Sequence, residues 1–253
     1  MKISVITAVF NSATTLEATL RSLAQQRYDN IEHIVMDGNS TDTSLEILKK
    51  HATSTMKIFS EPDSGIYNAL NKGILHATGD VIGFLHADDY YAEDTVLNDI
   101  ASAINQLSVD VVYGDLDYVG HNSSGQIIRH WQSGQFHLSR LSKGWMPPHP
   151  TLYIKRSVFD RIGGFDERFR IAADYDFMLR LLTLPGIQVG YIPKVLIKMR
   201  IGGKSSSVSN LFYKSFEDYV ALKTNSIGGI GTLLLKNISK VPQFFKHGWW
   251  PFS

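Results

Sequence analysis

Two adjacent carboxylates, Asp88 and Asp89, end a short apolar stretch that opens at Gly79. The apolar residues 81–85 are typical of a buried strand, and the C-terminal end of such a strand delivers side chains to a cleft. Adjacent carboxylates repel each other and are costly to bury unless a cation or a hydrogen-bond donor lies near them. The pattern favours a divalent cation held by oxygen ligands. The alternative is an Asp-rich turn that caps a helix.

Polar residues also follow the three preceding strand-like runs, 3–9, 31–37 and 56–59. They are Asn11, Asp37 at the end of its run, and Asp63. Each alone is a common turn residue. Together with the two later carboxylates they predict one rim with a negative potential, which suits a cation or a donor-rich ligand.

The elements that position this rim alternate between strands and helices. Apolar residues at helical spacing cover 16–24, 45–48 and 66–77, between the strand-like runs. This alternation predicts an α/β fold with a mostly parallel, doubly wound sheet, in which ligands bind beyond the carboxyl ends of the strands.

The second half is less regular and predicts a small antiparallel part. Residues 118–119 and 126–131 resemble a hairpin that turns at 122–125. The proline-rich residues 145–150 predict a loop. The remaining predicted elements are strands at 109–113, 151–154, 189–192 and 195–199, helices at 157–162, 174–184 and 211–223, and a mobile loop at 201–207.

Composition narrows the class of protein. The chain has 253 residues, 43% of them hydrophobic, and a net charge of +1, so nothing indicates wholesale nucleic-acid binding. It has no cysteine, which excludes disulfides, thiol catalysis and Cys-ligated zinc and fits a reducing compartment. No G-x-G-x-x-G or P-loop motif is present. No run approaches the ~18 apolar residues of a membrane span, and residues 1–10 are interpreted as a strand rather than a signal peptide.

Five motifs occur in order, at residues 4–11, 35–42, 61–73, 79–89 and 173–181. Over residues 1 to about 205, this ordered set resembles the inverting glycosyltransferases of family two, which have the GT-A fold. The nearest resemblance is to bacterial enzymes of O-antigen, capsule and exopolysaccharide assembly.

The resemblance implies roles for individual residues. Asp174 would be the catalytic base that deprotonates the acceptor hydroxyl. Asp88 would match the last Asp of the D-x-D motif and ligate Mg²⁺ or Mn²⁺ bridging the nucleotide diphosphate. The implied donor-binding residues are Thr7, Ala8, Phe10, Asn11, Asp37, Asp63, Lys72, His86, Ala87, Asp88 and Arg200. Two departures stand out, since His86 occupies the first-Asp position of D-x-D and Ala173 replaces the Glu that commonly precedes the catalytic Asp.

The residue types agree with glycosyl transfer. A divalent ion stabilises the leaving diphosphate, and a carboxylate takes the acceptor proton. Direct attack opposite the leaving group inverts the anomeric centre and requires no enzyme nucleophile, in line with the absence of Cys and of a G-x-S-x-G motif.

Lesser candidates flank these motifs. Trp145 could form a substrate wall. His149 is expected either to pack against Trp145 or to contact the donor phosphate or the acceptor. Arg200 and Lys204 flank a Gly-Gly loop, and these cations either close over the diphosphate or stay solvated.

We expect a glycosyltransferase domain at 1–205, with a nucleotide-sugar half at 1–115 and an acceptor and catalytic half at 116–205, and a helical tail at 206–253. Residues 233–250 mix apolar, aromatic and basic side chains, which is typical of a segment that lies in a membrane interface. A strap packed on the domain's own surface is the alternative. With the resemblance, this predicts a cytoplasmic enzyme at the inner face of the membrane that acts on a lipid-diphosphate-linked glycan or an oligosaccharide.

Two rival functions stay open. One is a non-catalytic scaffold in a polysaccharide-assembly complex. The other is a sugar-phosphate nucleotidyltransferase, which needs a glycine-rich, basic phosphate loop after the first strand. Residues 10–15 carry neither a glycine nor a basic residue, so this rival has little support.

Overall fold

The computed structural model of the chain describes residues 1–120, 126–201 and 208–238. Nine strands in these residues form a single sheet. They are β1 (Ile3–Val9), β2 (Ile31–Asp37), β3 (Met56–Ser60), β4 (Val81–Phe84), β5 (Asp89–Tyr91), β6 (Val111–Val119), β7 (Ile127–Trp131), β8 (Tyr153–Lys155) and β9 (Val189–Arg200).

Helices cover the sheet and the second half of the chain. The α-helices are α1 (Leu16–Ala24), α2 (Ser44–Lys50), α3 (Ile66–His76), α4 (Val96–Leu107), α5 (Arg156–Ile162), α6 (Ala173–Leu182), α7 (Val208–Thr224) and α8 (Ile230–Ile238). Two short 3-10 helices span Leu138–Lys143 and His149–Thr151.

The sheet has a parallel half and a mixed half. Its strand order is β3-β2-β1-β4-β8-β6-β9-β5, with β7 paired to β6 outside this path. Strands β3, β2, β1 and β4 are all parallel, whereas β8 is antiparallel to both β4 and β6. The sequence prediction of a mostly parallel sheet with a small antiparallel part is therefore confirmed.

Both faces of the central strands are buried, as expected of a doubly wound sheet. In β1, Ile6 packs into one core cluster with Leu70 of α3 and Phe177 of α6. Its neighbour Val5 points to the opposite face, into a second cluster with Ile100 of α4. The period-2 alternation of strand side chains thus divides the apolar residues between two helical layers.

The mixed half differs from the sequence prediction. Residues 189–192 and 195–199 belong to one strand, β9. Pro193 lies between them, at the point where the pairing of β9 with β6 changes register. A proline lacks the N–H of a regular ladder position, and a bulge accommodates it. Strand β6 likewise continues through Gly114 to Val119, and neither β5 nor α4 was predicted.

Several predicted features lie outside the described residues, namely the hairpin turn at 122–125, loop residues 202–207 with Lys204, and the tail beyond residue 238. Within the part of the chain that is described, no helix combines the length and apolar character needed to cross a bilayer.

Candidate active site

The loops after β1 and β2 interlock at the carboxyl edge of the sheet. The N–H of Gly38 donates to the carbonyl of Val9 over 2.8 Å. Asn11 and Asn39 have positive φ angles of 50° and 60°, a conformation that Asn adopts more readily than most residues. The Asn11 Oδ1 accepts the N–H of Thr41 at 2.8 Å. Asn11 thus joins the two loops, and its side-chain oxygen is used within the protein.

Asp37 and Asp63 lie at the same edge. Asp37 is buried, and its carboxylate accepts the Ser60 hydroxyl at 2.6 Å and the Ser40 N–H at 3.3 Å. Asp63 accepts the N–H of Gly65 at 2.9 Å. A Cβ at Gly38 would overlap Asp63 Oδ2, so this acid approaches the loop after β2 closely. The predicted rim is therefore present, although much of its hydrogen-bonding capacity holds the loops together.

The other predicted donor-side residues differ in exposure. Thr7 is fully buried, and its Oγ1 lies 3.0 Å from His33 Nε2, so its side chain does not reach the edge. Ala8 is partly buried, and Phe10 is 49% exposed. Lys72 donates to the Pro62 carbonyl at 2.9 Å and pairs with Glu61 at 2.8 Å, which ties it to the segment that carries Asp63.

The turn from 86 to 89 is fixed from two sides. The Ala87 carbonyl accepts the hydroxyls of Thr15 and Thr19 at 2.9 and 3.0 Å. The Asp88 carbonyl accepts Arg200 Nη1 at 2.7 Å. The Arg200 guanidinium also lies 4.8 Å from the centroid of the Tyr90 ring. The structure therefore brings the predicted residues Ala87, Asp88 and Arg200 together.

Asp89, next to Asp88, is fully buried at the start of β5. Its two carboxylate oxygens have no hydrogen-bond partner among the described residues. Burial and the neighbouring charge of Asp88 raise the pKa of Asp89 well above its ordinary value, although the N–H and the charge of Arg200 oppose this. A buried carboxyl beside a second acid is stable as the neutral acid or next to positive charge, and Arg200 supplies such charge here.

His149 lies between the end of β4 and α6. Its ring stacks on Phe84 at 5.4 Å and lies 5.8 Å from the ring of His86. Burial lowers its pKa to about 4, so the ring is neutral near pH 7. His149 Nε2 and His86 Nδ1 are buried without a hydrogen-bond partner in the described part of the chain. Burial also lowers the pKa of His86, although Asp88 and Asp174 act in the opposite direction.

In the described part of the chain, the ring contacts of His149 are with Phe84, His86 and Phe165. Trp145 instead packs beside Tyr113 and Phe136 at 5.9 and 6.0 Å, with its Nε1 donating to the Ser133 carbonyl at 2.8 Å. It is half-buried at the edge of the larger core cluster.

Asp174 is the second residue of α6, where unpaired backbone N–H groups and the helix dipole favour an anion. Its Oδ1 accepts the N–H of Tyr175 at 2.8 Å and the hydroxyl of Tyr67 at 3.3 Å. Burial would raise its pKa, but Lys214, His149, Lys236 and the Tyr175 N–H outweigh this and lower it. Because His149 is neutral near pH 7, the two lysines supply the positive charge there.

The site therefore joins the turn at 86–89, the loop around His149 and the N-terminus of α6. His86 lies within electrostatic range of both Asp88 and Asp174. Sequence reasoning missed Tyr67, Lys214 and Glu217 as site residues. Tyr67 lies inside the motif at 61–73, which could have indicated it. No local pattern distinguishes Lys214 or Glu217.

Comparison with known proteins identifies the family. Residues 4–170 match the sequence model described as "Glycosyl transferase family 2". A PGL/p-HBAD biosynthesis glycosyltransferase of Mycobacterium bovis is 32% identical over 210 residues, covering 81% of this chain and 79% of the relative. An uncharacterized glycosyltransferase of Mycobacterium tuberculosis is 37% identical over 180 residues, covering 70% of this chain and 68% of the relative.

Solved structures show the same fold. TarS 1-349 of Staphylococcus aureus, in complex with UDP-GlcNAc, matches with a TM-score of 0.71 and 23% identity. That match covers 90% of this chain and 66% of the TarS chain. The mannosyltransferase PcManGT of Pyrobaculum calidifontis, in complex with GDP-Man and Mn²⁺, matches with a TM-score of 0.66 and 17% identity, covering 99% of this chain and 76% of that one. The chain therefore has the GT-A fold and belongs to glycosyl transferase family 2.

Proposed function

We propose that this glycosyltransferase moves a single sugar, with inversion, from a nucleotide-sugar to a lipid-diphosphate-linked glycan or an oligosaccharide in bacterial surface-polysaccharide synthesis. The observation that carries the proposal is the position of Asp174. Its half-buried carboxylate, at the N-terminus of α6, faces the same cluster as His86 and the turn with Asp88. An acid placed beside the strand ends in this way is suited to take a proton from an acceptor hydroxyl.

A nucleotide donor, with UDP as the first choice, fits the edge formed by the loops after β1, β2 and β3. Asn11, Asp37 and Asp63 lie there, with Phe10 exposed beside them. An exposed aromatic ring and acceptor oxygens suit a base and a ribose. The acceptor-side candidates are Trp145 and His149, whose ring lies 5.8 Å from that of His86.

Mn²⁺ or Mg²⁺ at Asp88 fits the donor set of the site. Among residues 1–120, 126–201 and 208–238, no three His, Asp or Glu side chains group into a complete metal site. Mg²⁺ in nucleotide enzymes commonly uses one or two carboxylates plus substrate phosphates rather than a full protein cage. Asp88, with a second carboxyl next to it in the chain at Asp89, meets that pattern. When bound, the ion would neutralise charge on the leaving diphosphate.

The chain's own residues supply the rest of the chemistry. Asp174, with its lowered pKa, is ionised at neutral pH and can accept the acceptor proton as the new bond forms. Arg200, fixed to the Asp88 carbonyl, places a permanent positive charge at the diphosphate side. Alignment of donor and acceptor between these groups would contribute through positioning.

A mass-spectrometric transfer assay tests the proposal. Purified protein, Mn²⁺, a panel of UDP-, GDP- and dTDP-sugars and a lipid-diphosphate-GlcNAc acceptor are incubated together. We expect a product one sugar heavier, lost on chelation and reduced at least about a hundredfold in Asp88→Ala and Asp174→Asn. Asp160→Asn, the same change at an exposed site on α5, serves as the control. Full activity in Asp174→Asn would exclude the base role.

The scaffold alternative predicts a different result for ligand binding. A bound nucleotide raises the apparent melting temperature by mass action. Stabilisation by UDP that requires Mn²⁺ and disappears in Asp88→Ala supports the enzyme. A scaffold with a decayed site would show no stabilisation by any nucleotide, and the transfer assay would then stay silent with every donor.

We propose further that the C-terminal helices rest on an anionic lipid surface at the inner face of the cell membrane. Phe212 and Phe216, four residues apart on α7, are 78% and 63% exposed. Ile230, Leu234 and Ile238 repeat this spacing on α8, with exposures of 65%, 57% and 63%. Residues four apart share one helix face, so each helix presents an apolar stripe that is exposed within the described part of the chain. The lysines and tryptophans that follow residue 238 in the sequence suit the same surface.

Vesicle sedimentation tests this contact. The full chain should pellet with vesicles that contain phosphatidylglycerol, and Phe212→Ser combined with Phe216→Ser should weaken binding at least about tenfold, because two aromatic side chains no longer insert. Leu75→Ser, at an 85% exposed leucine on α3, is the matched control. Equal binding of the double variant and the parent would contradict the proposal.

A further inference from the structure

Glu217 of α7 holds the segment that leads into α6. This carboxylate is 4% exposed, and it accepts the N–H of Arg170 at 2.7 Å, of Ile171 at 2.8 Å and of Ala172 at 2.9 Å. Three successive backbone donors on one buried carboxylate form a rigid anchor, since each lost bond would leave a buried polar group unpaired. The anchored segment ends two residues before Asp174.

The same segment is held from the opposite side by α3. Tyr67 donates its hydroxyl to the Ile171 carbonyl at 2.7 Å, and this hydroxyl lies 3.3 Å from Asp174 Oδ1. Residues 170–172 are thus fixed between Tyr67 and Glu217. The position of the Asp174 carboxylate depends on both contacts.

Helix α7 also brings positive charge to this region. Lys214, three residues before Glu217 and hence on the same helix face, pairs with Asp218 at 3.3 Å. Lys236 of α8 pairs with the other oxygen of Asp218 at 2.7 Å and lies 3.3 Å from the centroid of the Tyr175 ring. Two lysines therefore share one aspartate close to α6.

We propose that α7 belongs to the catalytic centre, with Glu217 as a positioning residue for Asp174 and Lys214, on the same helix face as Glu217, as the positive charge that α7 adds to this region. The inference rests on the base role proposed for Asp174. The family's sequence model matches residues 4–170, so Glu217 and Lys214 both lie beyond the matched range.

The remaining groups around Asp174 are consistent with this assignment. Tyr67 faces it from α3, and burial raises the pKa of this phenol, so it stays a donor. His149 faces it from the loop before β8 and is neutral at pH 7, because burial lowers its pKa to about 4. His86 faces it from the turn at 86–89. Burial lowers the pKa of Lys214, but the charge of Asp174 outweighs this, so the pKa is raised and the lysine stays protonated. Among the described residues, Lys214 and Lys236 are the lysines whose charge lowers the pKa of Asp174.

Hydrogen exchange tests the anchor without any need for substrate. Glu217→Gln replaces one accepting oxygen with a donor, so we expect the amides of residues 170–172 to exchange at least about tenfold faster than in the parent. Glu46→Gln, at an exposed position of α2, is the matched control. With the donor identified in the transfer assay, kcat should fall at least tenfold while the donor KM changes less than twofold. Unchanged exchange, or a loss confined to KM, would overturn the positioning role.

A direct titration tests the charge. The Asp174 carboxyl can be followed by ¹³C NMR in aspartate-labelled protein and assigned with Asp174→Asn. Lys214→Met should raise its pKa by about one pH unit, and Lys214→Arg should restore it. Lys223→Met, an exposed lysine on the same helix, should leave it unchanged. An identical titration in Lys214→Met would overturn this part of the inference.

These readouts separate the inference from the function on which it rests. If Asp174→Asn keeps full transfer activity, the base role fails, whatever the exchange and NMR results are. If Asp174→Asn is inactive but neither α7 variant changes exchange or titration, the base role stands and α7 has no part in it. Should Glu217→Gln fail to fold, the Lys214 variants still decide whether α7 acts on Asp174.

Discussion

Arg200 links two segments that are distant in the sequence, the end of β9 and the turn that carries Asp88. It is the last residue of β9, yet its guanidinium donates to the carbonyl of Asp88 and lies over the ring of Tyr90. The turn with Asp88 is thereby fixed, and the charge of Arg200 lies next to the proposed metal ligand. A bidentate donor with a permanent charge is well suited to phosphate oxygens.

Arg200→Ala should therefore raise the donor KM about tenfold, the effect of losing roughly 1.4 kcal/mol of binding free energy. Initial rates at varied donor concentration measure it. Arg21→Ala, which removes an exposed arginine paired with Glu17 on α1, should leave the donor KM unchanged. If Arg200→Ala lowers kcat alone, the residue acts through the shape of the Asp88 turn and does not contact the donor.

At the residue scale, strand ends could be predicted from sequence, but the partners of each side chain could not. The polar residues after the first strands do lie at one edge, as their spacing indicated. The side-chain oxygens of Asn11 and Asp37 accept hydrogen bonds from Thr41 and Ser60, and these contacts between loops are not visible in the sequence. Tyr67 meets Asp174 across 107 positions of the chain, so no local pattern could indicate the pair.

At the scale of elements, periodicity predicted the parallel half well and the mixed half less well. Strands β1 and β2 match their predicted bounds, and each is buried along nearly its whole length, as is typical of strands covered on both faces. Strand β5 covers Asp89–Tyr91, in which an acidic residue breaks any apolar pattern, and its pairing with β9 defines it. Elements defined by a partner that is distant in sequence are those that pattern reasoning misses.

Helix α8 is seated on the 3-10 helix at Leu138–Lys143 through a close backbone contact. Gly144 has a φ of +80°, and a Cβ there would overlap the backbone N and Cα of Lys236. Gly186 has nearly the same φ, +78°, but has open space where a Cβ would lie. The two glycines therefore separate the conformational cost of an added Cβ from the cost of displacing α8.

Gly144→Ala should lower the free energy of unfolding by roughly 1–3 kcal/mol more than Gly186→Ala, since it adds overpacking to the same left-handed strain. Urea denaturation measures the difference. Hydrogen exchange in α8 should also rise in Gly144→Ala alone, because the helix is pushed from its seat and the pair of Lys236 with Asp218 loosens. Equal destabilisation of the two variants would show that α8 does not rest on this glycine.

At the scale of the whole molecule, stability should depend on pH through buried histidines. His33 of β2 is buried beneath the site edge, and its Nε2 lies 3.0 Å from Thr7 Oγ1. Burial lowers its pKa from 6.5 to about 4. Above pH 6.5 neither the folded nor the unfolded form binds the proton, so His33 has no effect on stability there.

As the pH falls from 6.5 towards 4, the unfolded chain takes up the proton and the folded chain does not. Each such histidine therefore lowers the free energy of unfolding by about 1.4 kcal/mol for every unit by which the pH falls. His149, with a pKa of about 4 for the same reason, adds to the slope. Below about pH 4 the folded forms also bind the proton and the histidine contribution levels off.

Glu32 acts in a separate pH window. Burial would raise the pKa of Glu32, but Lys57, Thr78 and Ser4 hold it well below its ordinary value. This group stabilises the fold above pH 4.5, and its contribution is lost only as the pH falls below that value. Between pH 5 and 7.5, Asp89 acts in the opposite direction to the histidines, because its raised pKa lets the folded chain keep a proton that the unfolded chain has released. The contribution of one histidine is therefore obtained as the difference between the parent and its variant.

Urea denaturation of the parent and of His33→Gln at pH 5.0, 6.0 and 7.5 tests this account. The variant should be less stable than the parent at pH 7.5, because the packing around His33 is lost, but its stability should fall less steeply as the pH is lowered. The decisive quantity is this slope, since it does not depend on the packing cost. His137→Gln, at an exposed histidine, should keep the full slope. If His33→Gln also keeps the full slope, the buried ring of His33 takes up a proton in the folded chain as readily as in the unfolded chain.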